Sequence, residues 1–238
     1  MEKNNESKRI ESLSSWYVKE QLDFDKQLIQ FRYESIKPYF YGDECLELGP
    51  ADGVMTKFLI NDFSKVIAVE GSNELLKKIP DFPNLNKIHS LFEDFNPRSL
   101  FNTIILDHVL EHVEKPVDLL SIIKNWLTED GKLIIGVPNA NSIHRLAAVK
   151  MGLLNNPSEL NARDIAVGHR RVYSKSTFIK DVEDSGLVVK DFKGVFLKIL
   201  SASQIQETWD ENMIKGFFEL GKDFPEHAAD MILVCGKK

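Results

Sequence analysis

The stretch from Glu44 to Gly53 joins an apolar strand to a turn of small residues and carries a carboxylate beside the turn. The run from Cys45 to Leu48 is apolar enough for a buried strand, and Val54 to Leu59 has the pattern of a helix. A strand that enters a helix through small residues brings backbone N–H groups to a ligand. Glu47, placed before the first glycine, disfavours a phosphate and suits a cation or a hydroxyl-bearing ligand.

A second acid closes the next apolar run, which extends from Val66 to Glu70. An acidic side chain at the carboxyl end of the second strand is placed to bind both hydroxyls of a ribose. Dinucleotide-dependent oxidoreductases share this strand, turn and acid, so the two features alone leave that class open.

The segment Glu47-Leu48-Gly49-Pro50-Ala51-Asp52-Gly53, together with Glu70, resembles motif I and the ribose acid of class I S-adenosylmethionine-dependent methyltransferases. The usual form is acid-x-Gly-x-Gly-x-Gly, and Ala51 stands at the position of the middle glycine. Its methyl group disfavours a close approach of a pyrophosphate to the backbone. The resemblance implies S-adenosylmethionine as cofactor and S-adenosylhomocysteine as product. It also implies cofactor contacts from Glu47, Gly49, Ala51, Gly53, Glu70 and Gly71.

The resemblance further implies the fold: an α/β, doubly wound, Rossmann-like sheet of seven strands in the order 3-2-1-4-5-7-6. The last strand of such a sheet is antiparallel, N-terminal helices precede the first strand, and a helical insertion follows the fifth. The alternation of strand and helix patterns along the chain independently favours a parallel, doubly wound sheet.

Two later segments extend the resemblance. An acid after the third strand binds the adenine amino group in this family, and Asp94 is the matching residue, with Phe92 or Phe95 against the ring. The apolar fourth strand, Phe101 to Asp107, then enters Leu110-Glu111-His112, a triplet that is similar to the family's post-strand motif. Ligands bind beyond the carboxyl ends of parallel strands, so Asp107 and His108 should lie at the floor of the cleft.

Composition limits the partners of the chain. Its 238 residues, 43% hydrophobic and 28% charged, predict an ordinary globular protein, and the net charge of −6 argues against a nucleic-acid partner. The two cysteines, Cys45 and Cys235, lie in apolar runs and are predicted to be buried thiols. No apolar stretch reaches the roughly twenty residues of a membrane span, and the polar N-terminus lacks a secretory signal. We therefore expect a cytoplasmic protein with a small-molecule acceptor, either monomeric or homodimeric.

The pattern predicts one methyltransferase domain over residues 1–238, with frayed residues at 1–9, a helical cover at 10–40 and a substrate-side insertion at 139–173. A helix is expected from Asp118 to Leu127, ended at Gly131, before a fifth strand from Lys132 to Val137. Another is expected from Ser174 to Ser185. A single amphipathic helix is expected from Ser201 to Leu220, before a last strand from Asp230 to Cys235.

The insertion concentrates donors in an otherwise acidic chain, which suits an anionic acceptor such as a carboxylate or phosphate. Its segment around Tyr173 resembles one in the branch related to ubiquinone and cell-surface-glycan methyltransferases, which fixes no substrate. Solvated charge around a buried tyrosine is the alternative. The candidate substrate-binding residues are Tyr17, Arg32, Arg145, Arg170, Arg171 and Tyr173.

Methyl transfer from a sulfonium is a direct displacement, so catalysis comes mainly from alignment. A base is needed only for a hydroxyl or a protonated amine, and His108, His144 and His169 compete for that role. His108 and His112 are four residues apart and could share a helical face, but no metal site is predicted.

O-methylation is the favoured reaction. The alternatives are N-methylation of an amine or amino sugar, a non-catalytic cofactor-binding subunit, and an NAD-dependent oxidoreductase. Glu47 and Asp94 argue against the last of these.

Overall fold

A computed structural model describes the backbone of residues 2–19 and 22–238, and within the first helix the side chains of residues 5–14. Its sheet has seven strands in the order β3-β2-β1-β4-β5-β7-β6. Neighbours from β3 to β5 are parallel, whereas β7 is antiparallel to both β5 and β6. The predicted fold class and strand order are therefore confirmed. The strands are β1 (Glu44–Leu48), β2 (Lys65–Glu70), β3 (Leu85–His89), β4 (Phe101–Asp107), β5 (Leu127–Pro138), β6 (Val188–Val195) and β7 (Asp230–Gly236).

Helices cover both faces of the sheet. Because side chains alternate along a strand, Ile104 and Leu106 of β4 enter one hydrophobic cluster and Ile105 enters the other. The helices are α1 (Glu2–Lys19), α2 (Asp23–Ile36), α3 (Thr56–Leu59), α4 (Asn73–Lys78), α5 (Pro116–Lys124), α6 (Ile143–Lys150), α7 (Ala162–Ala166), α8 (Lys175–Asp184), α9 (Ala202–Thr208) and α10 (Glu211–Asp223). None of the helices within the described ranges is long and apolar enough to cross a membrane.

The first helix is longer than the sequence suggested. Residues 2–9, expected to be frayed, belong to α1, and contacts at both of its sides explain this. The Glu11 carboxylate accepts hydrogen bonds from Ser72 Oγ at 2.6 Å and from the Asn73 backbone N–H at 2.8 Å. On the other side Glu6 pairs with Arg170 at 2.9 Å, so α1 joins the start of α4 to the insertion.

The boundary between α5 and β5 differs from the expectation. The helix ends at Lys124, and the strand begins at Leu127, which pairs with Phe101 of β4. Gly131 lies inside β5 and does not end a helix. A Cβ at Gly131 would lie 2.8 Å from the Phe101 carbonyl oxygen, so close packing explains this glycine.

The expected helix from Ser201 to Leu220 is two helices. Trp209 is extended at the end of α9, and Asp210 begins α10 by accepting a hydrogen bond from the Met213 N–H at 2.8 Å. The break changes the buried face: Ile214 is buried, whereas Met213 is exposed.

The Asp210 carboxylate should therefore stabilise α10. Asp210→Ala is expected to lower the free energy of unfolding by about 1 kcal/mol, because an N-terminal N–H loses its acceptor. Urea unfolding measures this, with Asp223→Ala at the exposed end of the same helix as the control. Equal stability of both variants would contradict the capping role.

Candidate active site

A cavity of about 1190 Å³ opens at the carboxyl ends of the central strands. Its wall combines the turn after β1, the ends of β2 and β4, and parts of α1, α2 and the insertion. The volume exceeds the roughly 300–1,000 Å³ of a pocket for one small molecule, so a cofactor and an acceptor fit together.

The turn after β1 has a backbone that only small residues accommodate. Gly49, Ala51 and Gly53 have φ angles of 71°, 49° and 80°. A Cβ at Gly49 would lie 2.5 Å from Val109 Cγ2. Ala51 tolerates the left-handed region because its N–H donates to Glu70 Oε2 at 3.1 Å. This explains how an alanine replaces the middle glycine of the motif.

The two oxygens of Glu70 are oriented by backbone donors. Besides Ala51, the Ser72 N–H donates to Oε1 at 2.8 Å, which fixes the carboxylate on the cavity wall beside Gly71. Burial raises the pKa of Glu70, and these N–H groups oppose the shift. A fixed carboxylate at this strand end suits a ribose diol.

Glu47 is a buried carboxyl group without a matching cation. Thr56 Oγ1 donates to its Oε2 at 2.7 Å, but no Lys or Arg among the described residues pairs with it. Burial raises its pKa to about 8, and the nearby carboxylates of Asp107 and Glu70 add to the shift. A positively charged ligand would supply the missing charge, so the wall suits a sulfonium or an ammonium group.

The segment after β3 places only part of the predicted adenine site on the cavity wall. Leu91, Phe92 and Glu93 line the cavity, whereas Asp94 is exposed and lies outside its wall. The Phe95 ring packs against Trp126, with ring centroids 5.3 Å apart, and belongs to the core. Of the two aromatic candidates, Phe92 is therefore the one that lines the cavity.

Arg32 reaches the cavity but is bound to the protein itself. Its Nε donates to Asp107 Oδ2 and its Nη1 to Asp230 Oδ2, both at 2.8 Å. Despite burial, these interactions raise the pKa of Arg32 and hold that of Asp230 well below its usual range. The guanidinium therefore orders two strand ends, and its use as a clamp on a ligand carboxylate stays a prediction.

His108 lies at the floor of the cavity, as predicted, in a left-handed conformation with a φ of 55°. Its Nε2 is 3.5 Å from Asp230 Oδ1, and its Nδ1 is 3.5 Å from Glu111 Oε1. Burial and Arg32 lower the pKa of His108, but the two carboxylates outweigh them and raise it.

Residues 108–113 form an irregular turn, so His108 and His112 do not share a helical face. His112 instead lies against His169, and their ring centroids are 4.8 Å apart. Glu111, His112 and His169 bring ligand atoms within 4.8 Å of one another and are the described group that could hold a metal ion.

The other two predicted catalytic histidines, His144 and His169, also line the cavity. His169 Nδ1 is 3.1 Å from Asp164 Oδ1, and its Nε2 is 3.8 Å from Glu111. His144 also lines the cavity, but burial lowers its pKa to about 3, so it is a weak base near neutral pH.

Besides Arg32, four predicted substrate-binding residues form hydrogen bonds or ion pairs within the protein. Arg145 is bound to Asp164 at 3.0 Å, although it lines the cavity. Arg170, Arg171 and Tyr173 are not part of the cavity wall. Arg171 donates to the carbonyls of residues 110, 113 and 114, and the Tyr173 hydroxyl donates to Asp181 at 2.9 Å. The side chain of Tyr17 lies outside the described residues.

Sequence reasoning missed Asp230 and Lys198 as wall residues. Asp230 opens the apolar last strand, and an acid at a strand end was the available signal. Lys198 follows the sixth strand in a segment without a recognisable motif.

Fold and cavity together define a class I methyltransferase. A family model described as a methyltransferase domain matches residues 18–191, and the chain belongs to this family. The predicted class, S-adenosylmethionine-dependent methyltransferase, is confirmed, and S-adenosylmethionine is the cofactor that this class uses.

A curated relative, the mitochondrial ubiquinone biosynthesis O-methyltransferase of Schizosaccharomyces pombe, is 25% identical over 170 residues. The match covers 66% of this chain and 59% of the relative, so the chain spans less than two thirds of that protein.

Solved structures share the fold. A Thermotoga maritima methyltransferase, described as a possible histamine N-methyltransferase, has a TM-score of 0.63 at 15% identity, covering 98% of this chain and 97% of its own. A Haloferax volcanii methyltransferase complex with the activator Trm112 gives 0.62 at 14% identity, with 95% and 97% coverage.

Cofactor binding should depend on the protonation of Glu47. Its carboxyl, with a pKa of about 8 in the free protein, must lose a proton to face a cation. The affinity for S-adenosylmethionine should therefore rise with pH, by up to about tenfold per unit, and level off above about pH 8. Calorimetric titration measures this, and NAD tests the oxidoreductase alternative.

Glu47→Gln should bind more weakly and lose this component of the pH dependence. Glu44→Gln, on the same strand but outside the cavity wall, is the matched control. An identical pH dependence in wild-type protein and Glu47→Gln would exclude the carboxyl from the binding site.

Arg171 should contribute to stability and not to acceptor binding. Arg171→Ala removes the hydrogen bonds from its guanidinium to three carbonyl groups and is expected to lower the free energy of unfolding by about 2 kcal/mol. Urea unfolding tests this against Arg98→Ala, which removes an exposed arginine. Unchanged stability with a raised acceptor KM would restore the substrate role.

Proposed function

We propose that the chain transfers the methyl group of S-adenosylmethionine to an oxygen of a small, anionic acceptor, with His108 as the general base. The observation that carries this proposal is the position of His108 on the cavity floor, between the carboxylates of Asp230 and Glu111. The relative named as an O-methyltransferase supports oxygen as the acceptor atom.

The cofactor side of the cavity is assigned by its polar groups. Glu70 would bind the ribose hydroxyls, Glu47 would face a positive group, and Phe92 would contact the adenine. The bound cofactor supplies a methyl carbon activated by a sulfonium sulfur. The turn from Gly49 to Gly53 would orient it, so the protein contributes mainly alignment.

His108 would receive the proton of the acceptor hydroxyl on its imidazole ring. Glu111, 3.5 Å from Nδ1, orients the ring and stabilises its charged form. Both carboxylates raise the pKa of His108, which makes its ring a stronger proton acceptor.

We assign the whole chain to a single methyltransferase domain, in which α1 and α2 cover the cofactor and residues 139–173 form the acceptor side. Residues of α1 lie on the cavity wall, and Ser14 Oγ donates to Glu74 at 3.0 Å across the cofactor side. Such a cover would exclude water from the reacting atoms. A cytoplasmic location remains a prediction from the sequence.

N-methylation is the second candidate, because Glu47, Asp107 and Asp230 make the floor acidic and could hold an ammonium group. Labelled methyl transfer to a panel of phenols, carboxylates and amines separates the two reactions. Transfer to amines alone would overturn O-methylation, and transfer to none of them in a protein that binds the cofactor would favour a non-catalytic subunit.

The pH dependence of the base tests the role of His108. Glu111→Gln removes one carboxylate, so the pKa of His108 should fall and the acid limb of kcat/KM should move to lower pH. NMR titration of the histidine rings, with His108→Asn for assignment, measures the pKa directly.

Glu183→Gln removes an exposed acid from α8 and is the control. The assignment fails if Glu111→Gln leaves the titration of His108 unchanged, or if His108→Asn keeps the full rate with a phenolic acceptor.

A further inference from the structure

Lys198 is a partly buried cation on the cavity wall that has no counter-ion within the described part of the chain. No carboxylate of those residues lies within ion-pairing distance of its Nζ, and no hydrogen bond from Nζ is formed with them. Burial lowers the pKa of Lys198, and the positive charge of Arg163 adds to this, although the carboxylates of Asp230, Asp25 and Asp164 oppose it. The amine therefore has carboxylates in its surroundings but no direct ion pair within the described residues.

The arginines of the same wall differ from Lys198, because each pairs with a carboxylate. These pairs are Arg9–Glu6, Arg32–Asp107, Arg32–Asp230, Arg145–Asp164 and Arg163–Asp25. Specific carboxylates thus neutralise the arginines of the wall, whereas the Lys198 amine stays available to a ligand.

The backbone around Lys198 is fixed at several points. Phe196 has a φ of 61°, and its carbonyl accepts a hydrogen bond from the Ala229 N–H at 2.7 Å. The carbonyl of Lys198 accepts one from the His144 N–H at 3.2 Å. These contacts fix the backbone from which the Lys198 side chain extends, which reduces the part of the chain that a ligand must order.

His144 places a second unpartnered group in the same region. Its Nδ1 is buried and makes no hydrogen bond within the described residues. Burial lowers the pKa of His144 to about 3, with contributions from Lys198 and Arg145, so the ring is neutral and one nitrogen can donate. A buried polar atom without a partner costs free energy that a ligand oxygen would recover.

We propose that Lys198 and His144 form the subsite that binds an anionic group of the methyl acceptor, either a carboxylate or a phosphate. This deepens the proposed function and rests on it. Asp230 is 3.5 Å from His108 and interacts electrostatically with Lys198 and His144, so the subsite adjoins the base. The acceptor would present its hydroxyl to His108 and its anionic group to Lys198, which requires a compact molecule.

Calorimetric titration with three probes tests the subsite: inorganic phosphate, acetate and methylammonium. Each is added to protein saturated with S-adenosylhomocysteine and, separately, to protein without it. We expect phosphate or acetate to bind, and Lys198→Met to weaken that binding by about tenfold or more. The anion that binds more tightly distinguishes a phosphate from a carboxylate acceptor.

Lys198→Arg keeps the charge and should retain most of the binding. Lys115→Met removes an exposed lysine of the same wall and controls for the general electrostatic field of the cavity. His144→Phe should weaken anion binding while cofactor affinity stays the same.

Three results would overturn the subsite: equal anion affinity in wild-type protein and Lys198→Met, an equal loss in Lys115→Met, or binding of methylammonium alone. Failure of S-adenosylhomocysteine to bind would contradict the proposed function instead. Anion binding is also measured in protein without S-adenosylhomocysteine. A failure of the anion subsite can therefore be told apart from a failure of cofactor binding.

Discussion

The ion triad of Arg32, Asp107 and Asp230 is the interaction on which the geometry of the site depends. It joins α2, the end of β4 and the start of β7 by two hydrogen bonds of 2.8 Å in a largely buried position. Buried charges are tolerated only when they are paired, so each member fixes the other two. Asp230 also helps to orient the ring of His108, because its Oδ1 lies 3.5 Å from His108 Nε2.

Close packing beside the triad leaves no space for a side chain at Gly136. A Cβ at Gly136 would lie 2.1 Å from Asp107 Oδ1, and the carbonyl of Gly136 accepts the His108 N–H at 2.9 Å. A glycine on β5 thus allows the carboxylate to turn toward Arg32 and holds His108 in its left-handed conformation. Backbone strain of this kind persists where the surroundings over-determine it, as they do at this strand end.

Motifs that act through backbone geometry were predictable from the sequence. The turn from Gly49 to Gly53, the acid Glu70 and the floor residue His108 lie where their positions after strands required. The direction of a side chain was harder to predict from the sequence. Phe92 and Phe95 are three residues apart around a short 3-10 turn, and only the fold shows which ring enters the core.

The surroundings of the cationic residues were the feature that the sequence indicated least. Arg170 and Arg171 resemble ligand-binding groups in sequence, but their donors reach carbonyls of the turn near residue 112, far away along the chain. Pattern alone cannot assign a donor to a distant carbonyl, since that pairing follows from tertiary structure. The same limit concealed Lys198, which becomes notable only when the partners of the neighbouring arginines are known.

Two groups on the cavity wall lack a partner of opposite charge at ion-pairing distance within the described chain. Glu47 has no cation of its own, and burial raises the pKa of its carboxyl. Lys198, beside a neutral His144, has no paired carboxylate, although Asp25, Asp164 and Asp230 act on it electrostatically. Under the proposed function, Glu47 would favour a cationic methyl donor and Lys198 an anionic acceptor. These two unpaired groups would then help to orient both ligands toward the proposed base, His108.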